Sequence, residues 1–255
     1  MEPVYGSVIA ISRSMFAAQG LQFTLSGTEH IPRAGGALLV MNHVGFFDFT
    51  YAGLAARPAK RYVRFMAKAE VFAHPIAGPL MRGMHHIPVD RMAGTGSFTT
   101  ATDALRAGEV VGVFPEATIS SSFELKQFKS GAARMALDAG VPLLPTIIWG
   151  SQRVWTKRRP KHLWRTRTPI TVDVGTPLAA EGSALELTRT LHAQMSKQLA
   201  RVQRDYAGGH PAGAFWVPAR LGGGAPTPEQ AHEQDRADTR GKVAARREKM
   251  RKRTR

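Results

Sequence analysis

Cysteine is absent from the 255 residues. Disulfide scaffolds, thiolate zinc sites and a cysteine nucleophile are thereby excluded, and a reducing compartment is allowed. Acidic residues are scarce, with 19 Asp and Glu against 35 Lys and Arg for a formal net charge of +16. A surface of that sign attracts anions: nucleic acid, an anionic bilayer, or phosphorylated small molecules. Long apolar runs are missing too. None approaches the roughly 20 residues that cross a bilayer, so the chain is expected not to span a membrane. With 43% hydrophobic and 21% charged residues, the composition is that of a folded chain.

What is present begins with "MEPVYGSVIAISRSMFAAQGLQF", which has neither the basic start nor the small-residue cleavage site of a secretory leader. Val4, Val8, Ile11 and Met15 recur at helical spacing, and Tyr5, Ile9 and Phe16 widen the stripe. They predict an amphipathic helix within residues 1–25 that either caps the core or lies in a lipid interface. Residues 26–207 alternate strand and helix signals: strand "ALLVMN", a helix from Asp48, strand "YVRFMAK", a helix at 75–84, "HHIPVD", a helix near 97–107, strand "EVVGVFPE", a helix at 131–139, and strand "LLPTIIWG". This rhythm predicts an α/β fold, a single domain with a largely parallel sheet flanked by helices. A Ser183/Glu186 capping box opens a last helix with Leu187, Leu191, Met195, Leu199 and Val202 on one face. Residues 208–255 turn Gly- and Pro-rich and then basic, and read as a linker and tail. From Arg240 to Arg255 there are nine Lys or Arg and one Glu.

In "NHVGFFD" a histidine follows a strand and an aspartate opens a helix. His43 and Asp48 can form a general-base pair, the carboxylate fixing the imidazole tautomer and stabilising the imidazolium. The plainer alternative makes Asp48 a helix cap and His43 a loop residue. The segments "NHVGFFD", "MAKAEVF", "GMHHIPVDR", "VFPEATIS" and "VPLLPTII" then occur in that order over roughly residues 35–150, and ordered agreement is far more specific than a lone H-x4-D. The sequence resembles the 1-acylglycerol-3-phosphate acyltransferase family, also called lysophosphatidic acid acyltransferases.

The resemblance implies transfer of a fatty acyl group from acyl-CoA or acyl-carrier protein to the free hydroxyl of a lysophospholipid acceptor, giving phosphatidic acid without metal or prosthetic group. It assigns His43 as base and Asp48 as its orienting partner, and lets Asn42 shape the loop. Lys68, Gly83, Arg91, Glu116 and Thr118 become the substrate-binding residues, Arg91 resembling a phosphate ligand. One departure stands out. Where the family has "EGTR" this chain reads Glu116, Ala117, Thr118, Ile119, so the phosphate is left to Arg91 and Lys68, or to Lys126 or Lys129, or the acceptor is another lysophospholipid, a glycolipid or glycerol 3-phosphate. His85 and His86 lack acids at ligand spacing and read as surface or packing residues.

Between 153 and 167 seven Lys or Arg accompany Trp155 and Trp164 with no acid. Such a run suits an anionic headgroup layer or the phosphates of the acyl donor. An anionic membrane surface is therefore the expected partner, with peripheral or monotopic placement on the cytoplasmic face of the cell membrane. A basic nucleic-acid-binding protein is the rival class. No recognition-helix, RNP or zinc pattern supports it, and nucleic acid is not expected as a partner.

Overall fold

The computed structural model describes residues 2–90 and 96–253, without the side chains of 242–247 and 249–253. By contact the chain divides into two compact units, residues 1–119 with 127–209, and residues 120–126 with 210–255.

The first unit is built on seven strands: β1 (Gln22–Ser26), β2 (Ala37–Met41), β3 (Val63–Lys68), β4 (Ile87–Val89), β5 (Val110–Val113), β6 (Leu143–Trp149) and β7 (Pro169–Val174). Their order is β1-β7-β6-β2-β5-β3-β4. Five adjacent strands, β6 to β4, run parallel, whereas β7 lies antiparallel to β6 and carries β1 parallel to itself. Central strands β2 and β6 are buried at every position, which is why they read as nearly continuous apolar runs. The largely parallel α/β sheet expected from the sequence is therefore present. β1 and β7 are additions to it.

Helices α1 (Pro3–Gln19), α2 (Asp48–Ala55), α3 (Ala69–Phe72), α4 (Ala77–Gly83), α5 (Gly96–Arg106), α6 (Gly131–Ala139) and α7 (Ala184–Arg204) complete the unit. In α7 the Ser183/Glu186 capping box forms, and all five apolar residues predicted for one face are buried. From β2 the chain goes through α2 to β3 on one side, while β5 returns through α6 to β6 on the other. The carboxyl ends of β6, β2 and β5 thus lie side by side where the winding reverses, the place where α/β sheets gather ligands.

Helix α1 packs against the core. Tyr5 donates to Val63 O at 2.8 Å and stacks on Tyr62, and Phe16 meets Tyr51 with ring centroids 5.1 Å apart. Ile11, at the edge of the predicted stripe, remains 70% exposed. The helix buries Tyr5, Phe16 and Gln19 and half-buries Val4, Val8, Ile9, Ser12 and Met15, so of the predicted stripe only Ile11 faces outward. Buried Arg64 fastens the start of α1 by gripping both carboxylate oxygens of Glu2 and also reaching Glu109 and Met84 O. At Gly83 a Cβ would stand 2.8 Å from Val4 Cγ1, so a side chain there would push α4 off α1.

His86 is a packing residue. Buried, it accepts from Phe65 N–H through Nδ1 at 3.1 Å and edges onto Tyr5 and Phe65. Burial, reinforced by the Arg64 charge, pushes its pKa down to about 4, with Glu2 opposing and His85 adding to the shift. The unfolded chain, with an ordinary histidine near 6.5, takes up the proton first as pH falls. The stability from keeping His86 neutral is complete above about pH 6.5 and lost as pH drops towards 4, about 3 kcal/mol in all. In denaturant titrations at pH 7 and pH 4.5, His86→Asn, which keeps an acceptor but does not titrate, should lose less stability than wild type. Equal losses would show that other groups set the acid limit.

Within the second unit, helix α8 (Pro228–Arg253) follows a turn-rich stretch in which Trp216, Val217 and Ala225 are buried. Lys126 pairs with Asp235 at 2.5 Å and Arg220 with Glu124 at 3.0 Å. Those pairs tie a seven-residue loop from the middle of the chain to the stretch read from sequence as linker and tail.

Candidate active site

The site starts where β2 stops. Asn42, buried at the strand end, donates to Ile148 O at 3.0 Å and accepts from Ile148 N–H at 2.7 Å, extending the β2–β6 pairing by a side-chain amide. His43 comes next, stacked on Phe114 from the end of β5 with centroids 4.1 Å apart. Its backbone N–H donates to Glu116 Oε1 at 2.9 Å.

Asp48 is wholly buried as the first residue of α2. The N-cap position is Phe47, and the Asp48 side chain points back into the preceding loop. Oδ2 receives His43 Nδ1 at 2.9 Å, Val44 N–H at 2.7 Å and Gly45 N–H at 2.8 Å, while Oδ1 accepts a short hydrogen bond from the Ser151 hydroxyl. Four donors compensate the desolvation of a buried carboxylate. The cap reading of Asp48 falls, and the base-and-partner reading has its geometry: with Nδ1–H held by the carboxylate, Nε2 is the nitrogen left to take a proton. Gly45 is required by space. A Cβ there would lie 2.5 Å from Ser151 Oγ.

The segment after β6 closes the loop from the other side. Trp155 O accepts from Phe46 N–H at 3.0 Å, Thr156 donates to Val44 O at 2.7 Å, and Lys157 Nζ donates to Thr118 Oγ1 at 2.5 Å. Ser151 carries no spacing signal in the sequence. Phe114 lies in the "VFPEATIS" segment and Trp155, Thr156 and Lys157 in the basic 153–167 run, but nothing in the sequence says that they meet this loop.

The predicted site residues divide. His43, Asp48, Glu116 and Thr118 come together, Glu116 as a buried carboxylate behind His43 and Thr118 as a partner of Lys157. Lys68 is exposed at the end of β3, and Gly83 ends α4 against Val4. Arg91 lies outside the described residues. Lys126 pairs with Asp235, and Ile119, where the family arginine would stand, is buried with 3% of its surface exposed.

A largely parallel α/β sheet with a carboxylate-anchored histidine at its carboxyl edge is a framework suited to general-base chemistry. The acyltransferase family profile matches residues 22–149, and the chain belongs to that family. It is 31% identical over 144 residues to the 1-acyl-sn-glycerol-3-phosphate acyltransferase of Bacillus subtilis (strain 168), covering 53% of this chain and 70% of that protein. It is 29% identical over 164 residues to the enzyme of the same name from Limnanthes alba, covering 62% of this chain and 55% of that one. The crystal structure of the 1-acyl-sn-glycerophosphate acyltransferase PlsC from Thermotoga maritima superposes with a TM-score of 0.63 at 19% identity, covering 80% of this chain and 90% of that one. At that identity the likeness speaks for the fold.

Proposed function

We propose that this chain transfers a fatty acyl group from acyl-CoA or acyl-carrier protein to the free hydroxyl of 1-acylglycerol 3-phosphate, giving phosphatidic acid for phospholipid synthesis. The observation that carries the reading is His43 held through Nδ1 by a buried Asp48 that also gathers the amides of the same loop. His43 Nε2 removes the hydroxyl proton as the oxygen attacks the thioester carbonyl. Collapse of the tetrahedral intermediate breaks the carbon–sulfur bond, and the proton held by His43 goes to the departing thiolate, so the residue is regenerated in one cycle. A thioester is already activated, and no enzyme-bound acyl intermediate is required. The test is transfer from palmitoyl-CoA to a panel of lysophosphatidic acid, other lysophospholipids and glycerol 3-phosphate. Transfer dependent on His43 and favouring lysophosphatidic acid supports the reading; no transfer to any acceptor overturns it.

We place the work at an anionic membrane surface, approached from one side. Among the described residues no helix is long and apolar enough to cross a membrane. The basic 153–167 stretch carries Trp164, 89% exposed, beside Leu163, 41% exposed, and indole suits the headgroup layer. A buried acyl chain gains about 0.8 kcal/mol per CH2, so a long-chain product leaves readily only into lipid. Deleting residues 240–255, with their net charge of +8 (nine basic, one acidic), should weaken sedimentation with anionic vesicles at low salt. It should spare turnover on detergent-dispersed substrate, and the binding difference should shrink at 1 M salt, where the screening length is about 3 Å. Equal binding at low salt would put the anchor elsewhere in the chain.

A further inference from the structure

We propose that Ser151 is a positioning residue for the reaction, fixing Asp48 and through it His43; the proposal rests on the acyl-transfer reading above. Ser151 stands 103 positions from Asp48 and meets it through its hydroxyl, which donates to Oδ1. The donors on the other oxygen, Oδ2, are His43 Nδ1 and the amides of Val44 and Gly45, all from the loop that carries the base. Those three travel with the loop. They set the carboxylate relative to His43 without tying the pair to the sheet. Among the described residues Oδ1 has one donor, and it comes from just past the end of β6.

Ser151 is held for this task from both sides. Before it, β6 is buried at all seven positions and is followed by Gly150, whose φ of 95° calls for glycine and where a Cβ would lie 2.1 Å from Pro169 O. After it, the Ser151 carbonyl accepts from Val154 N–H at 3.0 Å and from Trp155 N–H at 3.2 Å, closing a short 3-10 turn over Ser151–Arg153. With its backbone fixed, the serine has only its side-chain torsions left with which to aim the hydroxyl. The base loop lies directly against it, for a Cβ on Gly45 would also stand 3.1 Å from the Ser151 carbonyl carbon and oxygen. Both partners are buried, Ser151 at 1% exposure and Asp48 at 0%.

The arrangement matters when the proton moves. As His43 Nε2 takes the hydroxyl proton, the imidazolium is stabilised by the charge on Asp48, which has to stay in line with Nδ1. A carboxylate secured at one oxygen can swing about its own bond and lose that line, and a second tether to a rigid strand end opposes the swing. The same hydroxyl supplies one of the four donors that hold a buried negative charge in place. Ser151 acts through Asp48, so its effect belongs in kcat.

Ser151→Ala should lower kcat about tenfold or more, the worth of a hydrogen bond to a charged group, and leave the KM of donor and acceptor within about twofold. Ser151→Cys, with a weaker donor at the same place, should fall between. In an Asp48→Asn background Ser151→Ala should cost little further kcat, since the charge it acts through is already gone. In the resting enzyme, NMR of nitrogen-labelled histidine should show the His43 Nδ1 proton, identified by its loss in His43→Ala, moving and exchanging faster with water in Ser151→Ala. Wild-type kcat in a folded Ser151→Ala protein, a loss confined to KM, or the same fold-loss in both backgrounds would each overturn the assignment. Should Ser151→Ala fail to fold, Ser151→Cys decides, and wild-type kcat there overturns it equally. Wild type that transfers to no acceptor sinks the acyl-transfer reading; the His43 signal then judges the positioning by itself, and an unchanged signal in Ser151→Ala overturns that too.

Discussion

His43→Ala should lower kcat for acyl transfer by about 10²-fold to 10⁴-fold, the range expected when a general base is removed, in a protein that melts close to wild type. The fold should survive because the histidine ring is partly exposed and stacks on a single neighbour, Phe114. Asp48→Asn should be nearly as damaging by a different route. The amide oxygen can still receive the Val44 and Gly45 N–H groups, and its NH2 can donate to Ser151, so the loop keeps its shape. What is lost is the negative charge facing the imidazolium as it forms. Steady-state kinetics beside circular dichroism and thermal melts read both effects. A folded His43→Ala protein with near wild-type turnover would remove the base from the scheme.

The second large effect concerns stability. Ile119→Arg restores the family residue in name, yet position 119 is 97% buried when its 3% exposure is counted. A guanidinium placed there without a partner should cost at least about 3 kcal/mol. For a domain of this size that lowers Tm by about 6 °C or more. Scanning calorimetry gives the answer directly. If the variant melts like wild type and binds lysophosphatidic acid more tightly, the side chain has found a route to the acceptor that the isoleucine environment does not suggest.

Much of the sheet was legible because its central strands are buried on both faces. "ALLVM", "VVGV" and "LLPTIIW" are nearly continuous apolar runs. "QFTLS" and "PITVDV" escaped: the first is mostly exposed, and the second follows the basic loop, so neither shows the same run. α7 was readable down to single residues because cap and stripe agree, whereas in α1 several apolar residues lie round the helix and only packing selects the face. At the site, His43 and Asp48 are five apart and belong to one local motif. Ser151 is 103 residues from Asp48, and no local rule couples two such positions. The same holds for Lys157 and Thr118. Sequence order located the strand ends, but which side chains meet beyond them depends on the order in which strands lie in the sheet.

The catalytic loop also bears on how transition-state charge is met. In many acyl-transfer enzymes the oxyanion that develops on the carbonyl is received by backbone N–H groups next to the reacting residue. Here the three successive amides of residues 43, 44 and 45 are already engaged, the first by Glu116 and the other two by Asp48. Turning any of them outward would strip a buried carboxylate of a donor, at a cost of about 1 to 3 kcal/mol. If His43 is the base, the three amides next to it are therefore not available to the oxyanion, and that negative charge falls to donors beyond residues 43–45.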